Sequence, residues 1–290
     1  MLLRPTKFLL PKVKYSKHHT LLHMALALSL VGLTGCASTT QIGATGVDRR
    51  QFMLVSSDEI NAASSQQYQQ VIAQARQKGV LDTNASQVVR LRNIANRLIA
   101  QTPRFRPDVK NWQWEVHLIN SDQLNASCMP GGKILFYTGI INRLNLTDDE
   151  IAAIMGHEMS HALREHGREQ ASRDMAQGLG LGILAAAVGL SDGATQAVGM
   201  AAQVGLDLPH SREQEAEADT LGLELMARAG YNPQSALSLW QKMGAASTSA
   251  PPKFLSTHPP TAERYAHIQA LLPRVMPLYQ ATLNSGRRYG

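Results

Sequence analysis

The sequence has no apolar run long enough to cross a bilayer as a stable helix, no internal repeat and no low-complexity tract. It also has almost no net charge once its first 35 residues are set aside. Five of the 28 Lys/Arg residues (Arg4, Lys7, Lys12, Lys14 and Lys17) lie there without a single Asp or Glu, leaving 23 basic against 22 acidic residues. A near-neutral remainder carries no footprint for nucleic acid. Cysteine is scarce too: only Cys36 and Cys128 occur. Two cysteines cannot build a disulfide framework, and if Cys36 is modified Cys128 is left as a free buried thiol.

What is present begins with a leader. A basic stretch is followed by "LLHMALALSLVGL" and by Leu33-Thr34-Gly35-Cys36. The apolar run is short and ends in small residues, as a secretory signal does. Its last four residues resemble a bacterial lipobox, so residues 1–35 are expected to be a lipoprotein signal peptide and Cys36 the lipidated first residue. Ala37, in place of Asp, resembles lipoproteins sent to an outer membrane. Residues 36–51, small and polar, are expected to be a tether. Residues 52–290 form the expected catalytic domain.

Within that domain the spacing predicts helices over 57–79, with Ser57 as a cap, and over 85–101. "WQWEVHLIN" alternates as a half-buried strand with His117 on its polar side. Pro130-Gly131-Gly132 marks a turn into a short apolar strand. Thr147 to Glu150 is a capping box opening one long helix through "EIAAIMGHEMSHALREHGREQASRDMA". Residues 178–206 read as a packed helical hairpin, with contact to a membrane surface as the alternative. Ser211 opens a helix closed by Gly230, Asn232-Pro233 starts another, and Thr261 starts the last. The pattern is α+β and predominantly helical, with a small β-sheet.

The chemistry sits in "HEMSH", residues 157–161. Positions i and i+4 share a helix face, so His157 and His161 can present two imidazoles to one ion, with Glu158 beside it. Zinc suits such donors. Metzincins need Gly and His where Arg164 and Gly167 stand, so that class is excluded. "SREQEAEAD" offers Glu213, Glu215, Glu217 and Asp219. Glu215 and Asp219 share one face, so Glu215 can be the third ligand while Asp219 orients a ligand histidine. Glu217 points elsewhere and reads as a solvated or capping charge. His166 is rotated away from the ion and reads as a packing or hydrogen-bonding residue. His210 reads as loop, and His267 falls on a polar helix face.

Together "HEMSH", "EAEAD", "NASCMPGGKI" and "THPPTAER" resemble the zinc metallopeptidases that include HtpX and the CAAX prenyl proteases. These are gluzincins with a zincin-like domain, and the likeness is strongest to soluble lipoprotein peptidases of bacterial envelopes. It covers roughly residues 85–272. The resemblance implies one Zn2+ per subunit on His157, His161 and Glu215, with Glu158 as catalytic base and Asp219 behind the ligands. It also implies that the strand Ile134, Leu135, Phe136 and Tyr137 lies beside the cleft and pairs with substrate. A catalytic role for Cys128 is not carried over. Related peptidases place a Thr-His-Pro stretch with a later Arg where His258 and Arg264 stand. His258 is then an oxyanion donor, a fourth zinc ligand that keeps the enzyme latent, or part of a plain turn.

The resulting expectation is a zinc endopeptidase, lipid-anchored to a Gram-negative outer membrane and facing the periplasm. It would degrade misfolded or unassembled envelope polypeptides, with an outer-membrane assembly machine as a further partner. The alternative is a chaperone-like or scaffold lipoprotein whose zinc is mainly structural. An open position beside Glu158 separates the two.

Overall fold

A computed structural model describes residues 36–187, 210–246 and 253–286. Contacts divide the chain into Met1–Cys36 and Ala37–Gly290, and the second unit is the subject here. The expected signal peptide, the second half of the expected hairpin at 178–206 and the loop at 247–252 lie outside the described residues. So does the Cys36 side chain.

The helices start where local chemistry dictates. Helix α1 is Ser57–Gln77, and its cap is Ser56 in a capping box with Glu59, one residue earlier than expected. Helix α2, Ala85–Ile99, buries Val88, Leu91, Ile94, Ala95 and Leu98 along one stripe. The strands β1 (Glu115–Ile119), β2 (Ala126–Met129) and β3 (Lys133–Tyr137) follow, and then a short helix α3, Thr138–Arg143. Gly131 and Gly132 turn β2 into β3 at φ +79° and +83°, and a Cβ on Gly132 would strike the Trp114 ring at 2.6 Å. Only glycine fits there.

Strand β3 is the middle of the sheet: β1 pairs with it in parallel and β2 in antiparallel fashion. This corrects the expected substrate strand. Ile134, Leu135, Phe136 and Tyr137 have their backbone engaged on both sides, so a peptide cannot add to them. Of the two outer strands, β2 is the one that borders the cleft.

Helix α4, Asp148–Leu163, opens with the Thr147–Glu150 capping box. It is the core of the molecule, with Ile151, Ile154, Met155 and Met159 at 1% exposure or less. The single long helix expected from "HEMSHALREHGREQ" is two. Arg164 caps α4 and Glu165 takes a left-handed φ of +50°, after which α5, His166–Ala187, sets off. The break sets the side chain that follows it: Arg164, still helical, is fully buried against Glu217, and the left-handed Glu165 redirects the chain so that His166 also reaches Glu217.

Helix α6, Arg212–Arg228, begins at a Ser211–Gln214 capping box and packs on α4. The two helices touch at glycine: a Cβ on Gly222 would lie 2.9 Å from the His157 nitrogen, and one on Gly156 would lie 3.1 Å from the Gly222 oxygen. Glu215, Asp219 and Gly222 share a face, so this close approach carries both carboxylates to the histidines. Helices α7 (Ser235–Ala246), α8 (Lys253–Thr257) and α9 (Ala262–Asn284, capped by Thr261) complete the fold. Among the described residues no helix is long and apolar enough to cross a membrane.

The segment expected to be a tether is instead packed against the domain. Thr40, Thr45, Val47 and Gln51 are buried. The Ala44 and Thr45 amides donate to Glu224 at 3.0 and 2.9 Å, and the Gln41 amide donates to the Phe105 carbonyl at 2.7 Å. Arg49 then reaches inward to Glu169 and Glu217. A polar strap satisfied by buried carboxylates has enough fixed partners to be ordered.

Candidate metal centre

His157 and His161 rise from one face of α4, and Glu215 faces them from the first turn of α6. His258, just past α8, closes the group from the opposite side. One donor atom from each of these residues lies within 4.8 Å of all the others, and all are buried. His157 Nε2 is 3.0 Å from His161 Nε2 and 3.2 Å from His258 Nδ1. Glu215 Oε1 is 2.8 Å from His258 Nδ1 and 3.3 Å from His161 Nε2.

This arrangement fits a metal ion and little else. Imidazole nitrogens that converge on one another and on a carboxylate cannot all be satisfied by shared protons. Glu158 Oε1 is buried without a hydrogen-bond partner among the described residues. Buried polar atoms rarely stay so. Burial would raise the Glu215 carboxyl, but His258, His157 and His161 hold it far below the usual carboxylate range. For His161, burial and the neighbouring His210 push the imidazole well below its usual value, keeping it neutral as a ligand must be.

Around the donors lies a supporting layer. Asp219 Oδ1 accepts from His157 Nδ1 at 3.0 Å, the orienting contact expected of it. Arg264 locks Asp219 with two bonds of 2.6 Å, lies 2.7 Å from Glu215 Oε2 and stacks over Trp240 at 3.6 Å. Arg264 thus grips the carboxylates from behind and does not line the cleft that holds Glu158. The geometry makes it a clamp and not the catalytic group expected. His210, in a loop as expected, stacks on the His161 ring at 3.9 Å.

Glu158 lies on the cleft side, where burial raises its carboxyl, with His258 Nε2 3.4 Å from its Oε1. The same cleft is bordered by β2, His161 and His258. Cys128, a free buried thiol as expected, sits on β2; burial and the charge of Glu158 push its pKa well up.

Three polar residues differ from expectation. Glu217 is not solvated: it is buried, 2.7 Å from Arg49 Nε, 3.2 Å from Arg164 and 3.0 Å from His166. Its alternating "EAEAD" neighbours hid this, because the partners come from the strap and from the α4–α5 break. His117 does not face solvent freely but bonds Asp82 at 2.6 Å. His267 is half-buried, with its Nε2 2.8 Å from the Thr220 hydroxyl. His166 has the hydrogen-bonding role expected of it.

Two histidines one helical turn apart, a glutamate from a separate helix and a second glutamate beside the first histidine are the gluzincin pattern, on a predominantly helical α+β fold. The chain belongs to peptidase family M48, whose model matches residues 85–272. Its relatives include the mitochondrial metalloendopeptidase OMA1 of Schizosaccharomyces pombe, 30% identical over 228 residues, 78% of this chain and 65% of that protein. The beta-barrel assembly-enhancing protease of Yersinia pestis is 30% identical over 182 residues, 58% of this chain and 35% of that protein. Metalloprotease LoiP of Escherichia coli is 25% identical over 254 residues, 85% of this chain and 94% of that protein. The chain therefore spans less than two thirds of the first two and nearly all of the third.

Proposed function

We propose that the protein is a zinc-dependent endopeptidase of the bacterial envelope that cleaves unfolded or unassembled polypeptides. The observation that carries this reading is the buried donor group His157, His161, Glu215 and His258 with Glu158 on its cleft side. When bound there, zinc supplies a Lewis acid that acidifies water and polarises a carbonyl. The chain's own residues do the rest. Glu158, unpaired at Oε1, takes the proton of the attacking water and passes it to the leaving amine. The unpaired edge of β2, which borders the cleft, offers backbone groups to an extended peptide, a mode that tolerates many sequences. Asp219 and Arg264 hold His157 and Glu215 in place while this happens.

His258 gives the site its restraint. Its Nδ1 lies among the donor atoms, 2.8 Å from Glu215 Oε1, so it would be a fourth ligand of the bound metal and would compete with water there. Its amide continues α8 by a 2.8 Å bond to the Phe254 carbonyl, and Pro259 ends that helix directly after it. The same closed group also favours a second reading, a scaffold protein with a structural metal. Against it, a structural site has no use for a buried base such as Glu158 beside the donors.

Lipidation at Cys36 and an outer-membrane address facing the periplasm complete the proposal, supported by the leader. The name of the Yersinia relative supports an outer-membrane assembly machine as a partner. Casein cleavage by the purified chain, with chelator and with zinc restored, tests the activity. Cleavage that survives chelation would overturn the assignment.

A further inference from the structure

Behind His161, on the side away from the converging donor atoms, stand a second imidazole and a carboxylate. His166 Nδ1 lies 2.8 Å from His161 Nδ1, and His166 Nε2 lies 3.0 Å from Glu217 Oε2. All three side chains are buried. We propose that Glu217 and His166 form a relay that fixes the tautomer and ring plane of His161, turning its Nε2 lone pair toward the metal.

The assignment follows from counting hydrogens. An ionised carboxylate only accepts, so His166 Nε2 carries a hydrogen and donates it to Glu217. A neutral imidazole carries one ring hydrogen, so His166 Nδ1 is a bare acceptor. His161 Nδ1, at hydrogen-bond distance from it, must then be the donor. That leaves His161 Nε2 bare, and Nε2 is the atom 3.0 Å from His157 Nε2 and 3.3 Å from Glu215 Oε1. Each link admits one arrangement of protons, and all agree with metal ligation at Nε2.

The far end of the relay is anchored. Arg164 Nε and Nη2 each lie 3.2 Å from Glu217 Oε2, and Arg49 Nε lies 2.7 Å from Oε1. Two guanidinium groups keep the carboxylate charged and stationary, one from the α4–α5 break and one from the strap. The break itself serves the relay. A helix continued through Glu165 would carry His166 round the axis, whereas the left-handed turn at Glu165 brings it back onto His161. The two ligand histidines are thus held differently: His157 by a carboxylate directly, His161 by a carboxylate through an imidazole.

The relay rests on the metal-centre reading, and the test separates the two. Zinc affinity of the full chain is measured by competition with a chromophoric chelator, beside urea stability of the metal-free protein. His166→Phe fills the ring volume but removes both nitrogens; it should still bind one zinc, about 10–100-fold more weakly. His166→Asn places an oxygen near the Nδ1 position, so it should bind zinc more tightly than the Phe variant while being the less stable of the two. Glu169→Gln disturbs the same arginine cluster outside the relay and should lower stability with zinc affinity within about twofold of wild type, far short of what a lost outer partner costs. In the zinc-loaded wild type, nitrogen NMR should show His166 with its hydrogen on Nε2 and a bare Nδ1. Unchanged affinity in His166→Phe, an Asn variant no better than Phe, a Glu169→Gln loss as large as that of His166→Phe, or a hydrogen on His166 Nδ1 would each overturn the relay. If the wild type binds no zinc, the metal centre fails and the relay with it; if it binds and only the variants disagree, the relay fails alone.

Discussion

Removing the Arg49 guanidinium is the sharpest test of how the strap supports the fold. Arg49 Nη1 and Nη2 lie 2.5 and 2.8 Å from the two Glu169 oxygens, and its Nε and Nη2 lie 2.7 and 3.1 Å from the two Glu217 oxygens. Glu169 is fully buried and Glu217 is 10% exposed at its side chain. Burial alone would raise both carboxyls. Arg49, Gln51 and Gln214 outweigh it at Glu169, and His166, Arg49 and Arg164 outweigh it at Glu217, taking each from 4.5 to about 2. A shift of that size corresponds to ~3 kcal/mol per group, and the two share Arg49, so they do not add. Arg49→Met keeps the stem and leaves the remaining partners, so ~2–4 kcal/mol should be lost at neutral pH, toward the lower end for a broken buried pair. In a domain of this size that is a fall of roughly 5–15 °C in Tm.

The pH dependence fixes the cause. A carboxyl depressed in the folded state stabilises above its unfolded pKa, and that stabilisation is lost as pH falls from about 4.5 toward 2. The difference between wild type and Arg49→Met should therefore be full at pH 7, fall to roughly half near pH 3.5 and fade toward pH 2. Urea unfolding of both proteins in chelator, at pH 7, 5 and 3.5, measures it without the metal. A loss below ~1 kcal/mol at pH 7, the range of an exposed ion pair, or an equal loss at pH 7 and 3.5, would refute the buried-hub account.

Glu158→Gln should keep its metal and lose on the order of 10²–10⁴ in turnover; normal cleavage by this variant contradicts the proposed base. Glu215→Ala should lose zinc in a metal assay, whereas Glu217→Ala should keep one zinc at reduced affinity, and the reverse would reassign the third ligand. Cys36→Ala should abolish lipid modification, and mass spectrometry of the native N-terminus should find an acylated Cys36; an unmodified terminus elsewhere counts against the anchor. His258→Ala, assayed at full zinc occupancy, should raise activity if His258 holds the enzyme latent; a fall of about 10²–10³ would make it an oxyanion donor instead.

What could be read from the sequence was local. The caps at Thr147, Ser211 and Thr261 depend on a hydroxyl and the residue three positions on, so their helices start where spacing says they should. The ligand pair His157 and His161 needs only a helix, and Glu215 with Asp219 needs only a second one. What could not be read was set by partners distant in the chain. The family resemblance implies β3 as the substrate strand, yet its place is decided by β1, which claims its other side in parallel. The apolar run of β3 does fit a strand covered on both sides, whereas Ala126–Met129 carries the polar and small residues of an edge.

Glu217 shows the same limit at the site. Alternation along α6 assigns it to the face away from Glu215, and an acidic residue there is ordinarily solvated. The strap and the α4–α5 break bury it, and neither has periodicity to betray it. A small polar run after a lipobox-like stretch reads as a tether until its amides are seen to end on Glu224 and its Arg49 on Glu169 and Glu217. Arg164 and Glu165 read as helix until one is buried against Glu217 and the other turns left-handed. Both departures from regular structure lead to one carboxylate, and that carboxylate leads through His166 to His161 of the candidate metal centre. The chain thus sets His157 with a direct contact inside two regular helices, and sets His161 with its irregular segments. Any change that loosens the strap should therefore reach His161 before it reaches His157.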